Sequence, residues 1–280
     1  MANSLPLIWV DGRESRRISA LDRGLHYGDG VFTTLAVRGG APLLLDRHLA
    51  RLARDCGRLG IPCPAPELLR GEAARLSRGQ DRAVLKITIT RGEGGRGYRA
   101  PDECRPTRLL ALHPWPEFPG DPARDGIAAR VCHLRLGRNP ALAGIKHLNR
   151  LEQVLARSEW DDPKIREGVL LDCDGAVVEG VMSNLFWVKE DRLFTPCLNE
   201  CGVAGVMRAL VLELAGHHGL FAVEVREPVS TLFEADEAFF TNSVIGLWPA
   251  RSLDGRAFAP GPVSRRVQGW LDDAWCGERP

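Results

Sequence analysis

A proline-rich stretch near the middle of the chain constrains its fold more than any other feature. The ten residues His113–Pro122 contain four prolines and one glycine. Proline lacks a backbone N–H and fixes φ, so such a stretch continues neither a helix nor a central strand. The 280 residues suffice for two cores. We therefore predict a smaller N-terminal α/β domain over residues 1–113, a linker over 114–122 and a larger C-terminal domain over 123–280.

The composition is that of an ordinary globular protein without a strong bulk charge. Apolar residues make up 44% of the chain, charged residues make up 26%, and the net charge is +1. This balance gives no reason to expect binding to nucleic acid or to an anionic membrane. No apolar run approaches the roughly 20 residues of a membrane span, and the N-terminus does not predict a signal peptide. The eight scattered cysteines favour a reduced, cytoplasmic protein without a metal site.

Lysine is rare in this chain, which makes each lysine informative. Only four of the 37 basic residues are lysines. Arginine stays protonated, whereas a desolvated lysine can act as a nucleophile or a base. Lys164 and Lys189 lie in polar turns and are expected at the surface. Lys86 and Lys146 lie in apolar runs, and Lys146, within Leu142–Leu151, is the first candidate for chemistry.

Hydrophobic periodicity predicts mixed helices and strands on both sides of the proline-rich stretch. Val31–Val37 and Ala83–Thr90 have strand patterns, and Asp46 is predicted to cap a helix. Lys146 is predicted to begin a second helix, and Val206–Ala215 a third. Two strands are also predicted to meet in a hairpin turn at residues 189–192. The predicted class is therefore α/β.

Three features match what an enzyme that uses pyridoxal 5'-phosphate must supply. Such an enzyme needs a lysine, a carboxylate for the pyridine nitrogen and backbone N–H groups for the phosphate. Lys146 fits the first need, and Glu179 fits the second because it ends an apolar strand where an unpaired carboxylate is costly. Gly202–Arg208, which runs into a helix, fits the third. Taken singly, each has an ordinary interpretation as a surface residue or a helix cap.

The order and spacing of these features resemble the class IV aminotransferase family. The resemblance covers nearly the whole chain. It implies two α/β domains of the D-amino-acid aminotransferase type, with pyridoxal 5'-phosphate in the cleft between them, usually in a homodimer. The segments that carry it are Asp22–Gly24, Gly28–Phe32, His48–Leu52, Glu179–Phe186, Leu193–Thr195 and Val203–Arg208.

Two further segments narrow the resemblance within the family. Thr90–Tyr98 and Arg135–Gln153 are similar to the family's 4-amino-4-deoxychorismate lyases. This implies a small-molecule substrate, 4-amino-4-deoxychorismate, from which pyruvate is eliminated to give 4-aminobenzoate for folate biosynthesis. Thr34 resembles the lyases too, because branched-chain aminotransferases usually have glycine at that position. Its ordinary interpretation is a β-branched strand residue.

The resemblance implies a role for each candidate cofactor-binding residue. Lys146 is the Schiff-base lysine and the base, and Glu179 pairs with the pyridine nitrogen. The remaining candidates are expected to bind the phosphate group of the cofactor. They are Arg51, the N–H groups of Val206 and Met207, Asn242 and Ser243. The larger domain is thus expected to bind the cofactor.

The resemblance assigns the substrate-binding residues less uniquely than the cofactor-binding residues. Thr34 is expected beside the substrate carbons, where it delivers a proton or orients water. Arg96 matches in position an arginine that D-amino-acid aminotransferases use for a substrate carboxylate. Arg138 is its rival for that role.

Other functions remain open from the sequence. Transamination of D-amino acids or branched-chain amino acids uses the same residues, since the chemistry diverges only after proton removal. A non-catalytic cofactor-binding or interaction protein would not need both Lys146 and Glu179, so their joint presence counts against it. The glycine-rich Gly92–Gly97 is not expected to bind a dinucleotide, because Tyr98–Pro101 cannot continue as the required helix.

Overall fold

The computed structural model describes residues 6–277, which form two compact units. Of the described residues, the first unit comprises 6–116, the segment Lys146–Asn149 and Gly277. The second comprises Glu117–Ile145 and Arg150–Cys276. Each unit combines helices with a sheet, which confirms the predicted α/β class. None of the helices within residues 6–277 has the length and apolar character needed to cross a lipid bilayer.

The first unit is built on an antiparallel sheet. Within residues 6–277 it has six strands in the order β2-β1-β6-β5-β3-β4. The strands are β1 (Leu7–Val10), β2 (Arg13–Glu14), β3 (Gly30–Arg38), β4 (Ala41–Pro42), β5 (Arg82–Thr90) and β6 (Arg108–Pro114). The helices are α1 (Arg23–Tyr27), α2 (Leu45–Arg58) and α3 (Pro66–Ser77).

The two faces of this sheet differ because side chains alternate along each strand. One face is buried beneath α2 and α3 along the central strands β3 and β5, where it includes Val31, Leu35 and Ile87. The opposite face carries half-buried side chains, among them Thr34 and Lys86. The first face forms the core of the unit, and the second leaves polar side chains accessible.

The second unit contains a larger mixed sheet. Within residues 6–277 its order is β12-β11-β10-β13-β14-β7-β8-β9, and β15 pairs with β14. The strands are β7 (Ile127–Leu136), β8 (Ile165–Asp172), β9 (Val177–Gly180), β10 (Asn184–Lys189), β11 (Arg192–Pro196), β12 (Ala222–Val225), β13 (Glu237–Asn242), β14 (Gly246–Leu253) and β15 (Arg256–Ala257). The helices are α4 (Pro122–Asp125), α5 (Leu151–Arg157), α6 (Val206–His217), α7 (Ser230–Glu234) and α8 (Pro262–Gly277).

Several predicted elements are confirmed. The strand patterns of Val31–Val37 and Ala83–Thr90 fall within β3 and β5, and the predicted third helix is α6. β10 and β11 form the antiparallel hairpin expected at residues 189–192. These segments have the clearest hydrophobic periodicity, and the elements they pair with or pack against favour the same local structure.

Two local predictions are wrong. Lys146 does not begin a helix, because its segment pairs with β3 and the helix starts only at Leu151. Asp46 does not cap α2, whose N-cap is Leu44 in a left-handed conformation. Asp46 instead lies in the first turn, where its carboxylate forms an ion pair with Arg70 at 2.7 Å. In both places contacts from outside the local sequence decide the backbone path.

Candidate active site

The backbone around Lys146 pairs with the beginning of β3, on the edge where β4 pairs only with the end of that strand. The Phe32 N–H donates to the Lys146 carbonyl at 3.0 Å, and the Leu148 N–H donates to the Gly30 carbonyl at 3.0 Å. The Lys146 N–H donates to Oδ2 of Asp55 at 3.1 Å. The backbone of Lys146 is therefore fixed on both sides, by a strand and by a buried carboxylate of α2.

The amine of Lys146 lies against an aromatic ring. Its Nζ is 4.7 Å from the ring centroid of Phe32, a cation–π distance. Thr34 follows Phe32 by two residues in β3, so both side chains are on the half-buried face of the sheet. Lys146 thus contacts the ring of Phe32, and Thr34 lies on the same face of β3 as that ring.

Arg51 belongs to a buried network that the sequence did not reveal. Its Nη2 donates to Oγ1 of Thr33 at 2.6 Å, and the same Oγ1 lies 2.6 Å from Nδ1 of His48. Burial lowers the pKa of Arg51 to about 10, an effect that the charge of Asp55 opposes. Burial also holds the pKa of His48 well below its ordinary value, and the charges of Arg51 and Lys146 add to this.

His48 is therefore neutral at ordinary pH. One ring nitrogen of neutral His48 carries the proton and the other accepts hydrogen bonds, so Nδ1 and the Thr33 hydroxyl share one hydrogen bond. Arg51 and His48 were recognisable as an i, i+3 pair on one helix face. Thr33 was not recognisable as their partner, since that requires the strand to be placed against the helix.

Two buried nitrogens of this network have no hydrogen-bond partner within residues 6–277. They are Nε of Arg51 and Nε2 of His48. A buried donor left without an acceptor costs about 1–3 kcal/mol, so unsatisfied donors are expected where a ligand supplies the acceptors. The unsatisfied guanidinium N–H of Arg51 therefore suits an anionic ligand group.

Glu179 lies in the second unit, near the end of β9. Its side chain is buried, and Oε2 accepts from the Val203 N–H at 2.8 Å. Burial lowers the pKa of the Arg150 guanidinium, and the charge of Glu179 opposes that effect. A Cβ on Gly202 would lie 2.8 Å from a methyl carbon of Val178 and 3.4 Å from Oε2 of Glu179. The close approach of this backbone therefore requires glycine.

The N-terminus of α6 is not capped by a side chain. Its N-cap is Gly205, and a Cβ there would lie 2.1 Å from Oδ1 of Asn184. The first N–H groups of a helix have no acceptor within the helix, and within residues 6–277 the N–H groups of Val206 and Met207 have no other acceptor. An uncapped helix N-terminus is suited to binding a phosphate.

Asn242 and Ser243 lie at the turn between β13 and β14. Oδ1 of Asn242 accepts from the N–H groups of Val244 and Ile245 at 2.9 and 3.0 Å. Its Nδ2 donates to the Met182 carbonyl at 3.1 Å. Asn242 therefore shapes the turn itself, and Ser243 is half-buried within it.

The two candidate substrate arginines have different surroundings. Arg96 is exposed in the loop after β5, and no acidic partner contacts it within residues 6–277. Arg138 forms ion pairs with Glu200 and Asp174. The hydrogen bond to Glu200 raises the pKa of Arg138 above its ordinary value. The guanidinium of Arg138 is thus already engaged, whereas that of Arg96 is available.

A second buried carboxyl group, that of Glu167, was missed by the sequence analysis. Oγ of Ser183 donates to its Oε2 at 2.6 Å, and the Gly168 N–H donates to its Oε1 at 2.9 Å. Burial raises the pKa of Glu167 to about 7, although hydrogen bonds from Ser183 and from the backbone of Gly168, Met182 and Val181 oppose this. Glu167 therefore braces the loop that follows Glu179. The sequence feature that could have identified Glu167 is its position as a carboxylate within the largely apolar strand β8.

The predicted site residues thus fall into two sets, one in each unit. The first unit holds Lys146, Thr34, Arg51 and Arg96. The second holds the remaining residues, which are Glu179, Val206, Met207, Asn242, Ser243 and Arg138.

Comparison with known proteins places this chain in a family. The family model for amino-transferase class IV matches residues 30–253. The chain is 35% identical to the aminodeoxychorismate lyase of Vibrio harveyi over 95% of this chain and 100% of that protein. The structure of 4-amino-4-deoxychorismate lyase from Pseudomonas aeruginosa is 48% identical, with a TM-score of 0.91 over 95% of this chain and 98% of that one.

An aminotransferase also has this fold. The branched-chain amino acid aminotransferase of Escherichia coli is 26% identical, with a TM-score of 0.85 over 99% of this chain and 96% of that one. Another branched-chain amino acid aminotransferase of the same fold was solved with pyridoxamine 5'-phosphate. The fold and family expected from the sequence motifs are confirmed. This chain belongs to the class IV aminotransferase family.

Proposed function

We propose that this chain is a pyridoxal-phosphate-dependent lyase that converts 4-amino-4-deoxychorismate into 4-aminobenzoate and pyruvate, a step of folate biosynthesis. The observation that carries the proposal is the similarity to two such lyases along nearly the whole chain. The contact of Lys146 with Phe32, which shares a face of β3 with Thr34, supports it. The reaction needs a base and a proton donor near the same substrate, and these two side chains supply both.

The residues present fit pyridoxal 5'-phosphate. Lys146 would hold it covalently, and the buried carboxylate of Glu179 would hold the proton of the pyridine nitrogen. The unsatisfied Nε of Arg51 is a donor that a phosphate oxygen would satisfy. The uncapped start of α6 offers further donors. Together with Arg51, the proposed phosphate ligands are Val206, Met207, Asn242 and Ser243.

The proton transfers fall to two residues of this chain. When bound, the cofactor supplies an electron-accepting ring next to the carbon that carries the substrate amine. Nζ of Lys146 removes the proton at C4 of the substrate. The bond between C3 and the enolpyruvyl oxygen then breaks, and the six-membered ring becomes aromatic.

Thr34 completes the reaction by proton donation. Its hydroxyl donates a proton to the methylene carbon of the departing enolpyruvyl group, which becomes pyruvate. The proton that Lys146 removed then replaces the one that Thr34 gave. No further reactant is consumed, and the protein has only to orient these groups. Arg96 is the preferred ligand for a substrate carboxylate, because Arg138 is engaged by two acidic side chains.

Transamination of D-amino acids or branched-chain amino acids is the second candidate function. It is favoured by the similarity to the branched-chain amino acid aminotransferase of Escherichia coli. The two reactions differ in their need for an amino acceptor, because a transaminase turns over only when a 2-oxo acid is present.

Omission of the acceptor separates the two candidates. The lyase proposal predicts repeated turnover of 4-amino-4-deoxychorismate with no 2-oxo acid added, and no reaction of D-alanine or L-leucine with 2-oxoglutarate. Rapid amino transfer from either amino acid, with no 4-aminobenzoate formed, would reject the lyase.

The assembly and location of the protein are part of the same proposal. Helix α5 exposes Leu151, Val154 and Leu155 at helical spacing, and such an apolar surface suits a subunit contact in a homodimer. The cysteines from Cys56 to Cys201 are free thiols, as a cytoplasmic protein requires. The domain limits 1–113, 114–122 and 123–280 stay a prediction, as does the assignment of cofactor binding to the larger domain.

A further inference from the structure

Two cysteines at the end of α2 are in direct contact. The thiol of Cys56 donates a hydrogen bond to the sulfur of Cys63, and both are free thiols. Cys56 is fully buried in the last turn of the helix, whereas Cys63 is half-buried in the segment that follows it. A small reagent can therefore reach one thiol, and the other contacts that thiol from the core. The reaction proposed above uses neither of them.

The backbone after α2 turns back so that the two sulfurs meet. The Ile61 N–H donates to the Cys56 carbonyl at 2.9 Å, and the intervening Gly60 has a φ of +62°. Glycine adopts this left-handed conformation without a steric cost. The guanidinium of Arg91 donates to the carbonyls of Gly60 and Leu59 at 2.7 and 2.8 Å. The turn that brings the thiols together is therefore held in place by the residue that follows β5.

The hydrogen bond makes the two sulfurs chemically unequal. It holds the pKa of Cys63 below its ordinary value, although burial opposes this. The same hydrogen bond raises the pKa of Cys56, and burial raises it further. The thiolate is the reactive form of cysteine, so Cys63 is the thiol that attacks an oxidant. An accessible thiol of lowered pKa beside a second cysteine is the arrangement typical of redox-sensing sites.

We propose that Cys56 and Cys63 form a reversible disulfide when the protein meets hydrogen peroxide. The Cys63 thiolate attacks one peroxide oxygen, the O–O bond breaks, and the departing hydroxide takes up a proton to become water. The sulfur of Cys56 then attacks the sulfenic acid on Cys63. The S–O bond breaks, and the oxygen leaves as a second water with the proton of Cys56. The two thiols lose two electrons, which the peroxide gains, and a thiol reductant restores both cysteines.

Tryptic peptides identify this disulfide. Cleavage after Arg58 separates the two cysteines, which then lie in peptides 55–58 and 59–70. The cofactor-loaded protein is treated with a small excess of hydrogen peroxide, denatured while its free thiols are alkylated, and digested without reductant. We expect the two peptides to be joined, with a mass about 2 Da below that of the two unalkylated peptides together. Dithiothreitol given before denaturation should restore the separate peptides.

Three variants assign the roles of the two sulfurs. Cys63→Ser should leave Cys56 unoxidised, because a buried thiol of raised pKa does not react first. Cys56→Ala should leave Cys63 without a partner, so that peptide 59–70 gains about 32 Da as a sulfinic acid that dithiothreitol does not reverse. Cys104→Ser, at a half-buried cysteine of the same unit, is the matched control and should form the joined peptides as the wild type does.

The wild type alone decides the proposal, so the test holds even where a variant fails to fold. Peptides 55–58 and 59–70 that stay separate after peroxide treatment would overturn it, as would a disulfide between Cys63 and a different cysteine. The proposal is independent of the proposed function, because it needs only these two thiols and the oxidant. Loss of the lyase assignment would therefore leave it unchanged.

Discussion

The main-chain N–H of Lys146 donates to Oδ2 of Asp55, 3.1 Å away. Asp55 is buried on α2, and its other oxygen accepts from Nη2 of Arg54 at 3.0 Å. The same helix carries Arg51, so one element fixes the backbone of the reactive lysine and the arginine proposed for the phosphate. The position of Lys146 thus depends on a carboxylate 91 residues away in sequence.

We expect Asp55→Ala to displace Lys146 and to lower kcat by at least about 10-fold, because small misplacements of a reacting group are costly. The folded state should lose about 1–3 kcal/mol, since buried donors then lack an acceptor. Steady-state kinetics and urea unfolding check both effects. Asp46→Asn, on the same helix at an exposed ion pair, is the control and should change stability by less than about 1 kcal/mol. Equal kcat in Asp55→Ala and the wild type would contradict this role.

Neighbouring threonines of β3 should have separable roles, because they point to opposite faces of the sheet. Thr33→Val removes the acceptor of Arg51 and the partner of His48. We expect weaker binding of pyridoxal 5'-phosphate, by roughly 10-fold. Thr34→Ala should bind the cofactor normally but slow the elimination. Cofactor titration and single-turnover kinetics on both variants distinguish these effects, and interchanged phenotypes would refute the assignment.

The buried carboxyl group of Glu167 should make stability depend on pH. Burial raises its pKa from 4.5 to about 7, so the folded state favours the protonated form. The associated stability is fully present below pH 4.5 and is lost as the pH rises to about 7, by up to about 3 kcal/mol. Urea unfolding at about pH 5 and about pH 8 measures this loss, and Glu167→Gln should reduce it. An identical pH dependence in the variant would contradict the raised pKa.

Gly205 is required at the start of α6 by its close approach to Asn184. We expect Gly205→Ala to move the helix N-terminus and to weaken cofactor binding by about 10-fold or more, because the added Cβ would lie 2.1 Å from Oδ1 of Asn184. Gly216→Ala is the matched control in the same helix. No atom lies within 4 Å of its added Cβ, so it should keep the affinity and stabilise the helix slightly. Unchanged affinity in Gly205→Ala would argue against phosphate binding at α6.

The sequence predicted those parts of the fold whose signal is local. β3, β5 and α6 follow from periodicity and from flanking turn residues, and the family motifs named the candidate site residues. The helix expected to begin at Lys146 fails because hydrogen bonds to β3 and Asp55 decide that backbone. These partners are distant in sequence, so no local pattern reports them.

The hidden parts of the site are those that depend on register and packing. Thr33 and Thr34 are adjacent and chemically alike, and only the placement of α2 shows which one binds Arg51. In the sequence, Glu167 is a single carboxylate in an apolar strand. Its hydrogen bond with Ser183 requires the loop that contains Ser183 to pack against that strand.

In the proposed reaction, this chain eliminates pyruvate from 4-amino-4-deoxychorismate with Lys146 as the base. The most direct measurement quantifies 4-aminobenzoate and pyruvate separately, from substrate generated in situ, for the wild type and Lys146→Ala. We predict equal amounts of both products from the wild type and neither from the variant. Cofactor-loaded wild-type protein that forms neither product would contradict the proposed function, and a variant that retains turnover would contradict the role of Lys146.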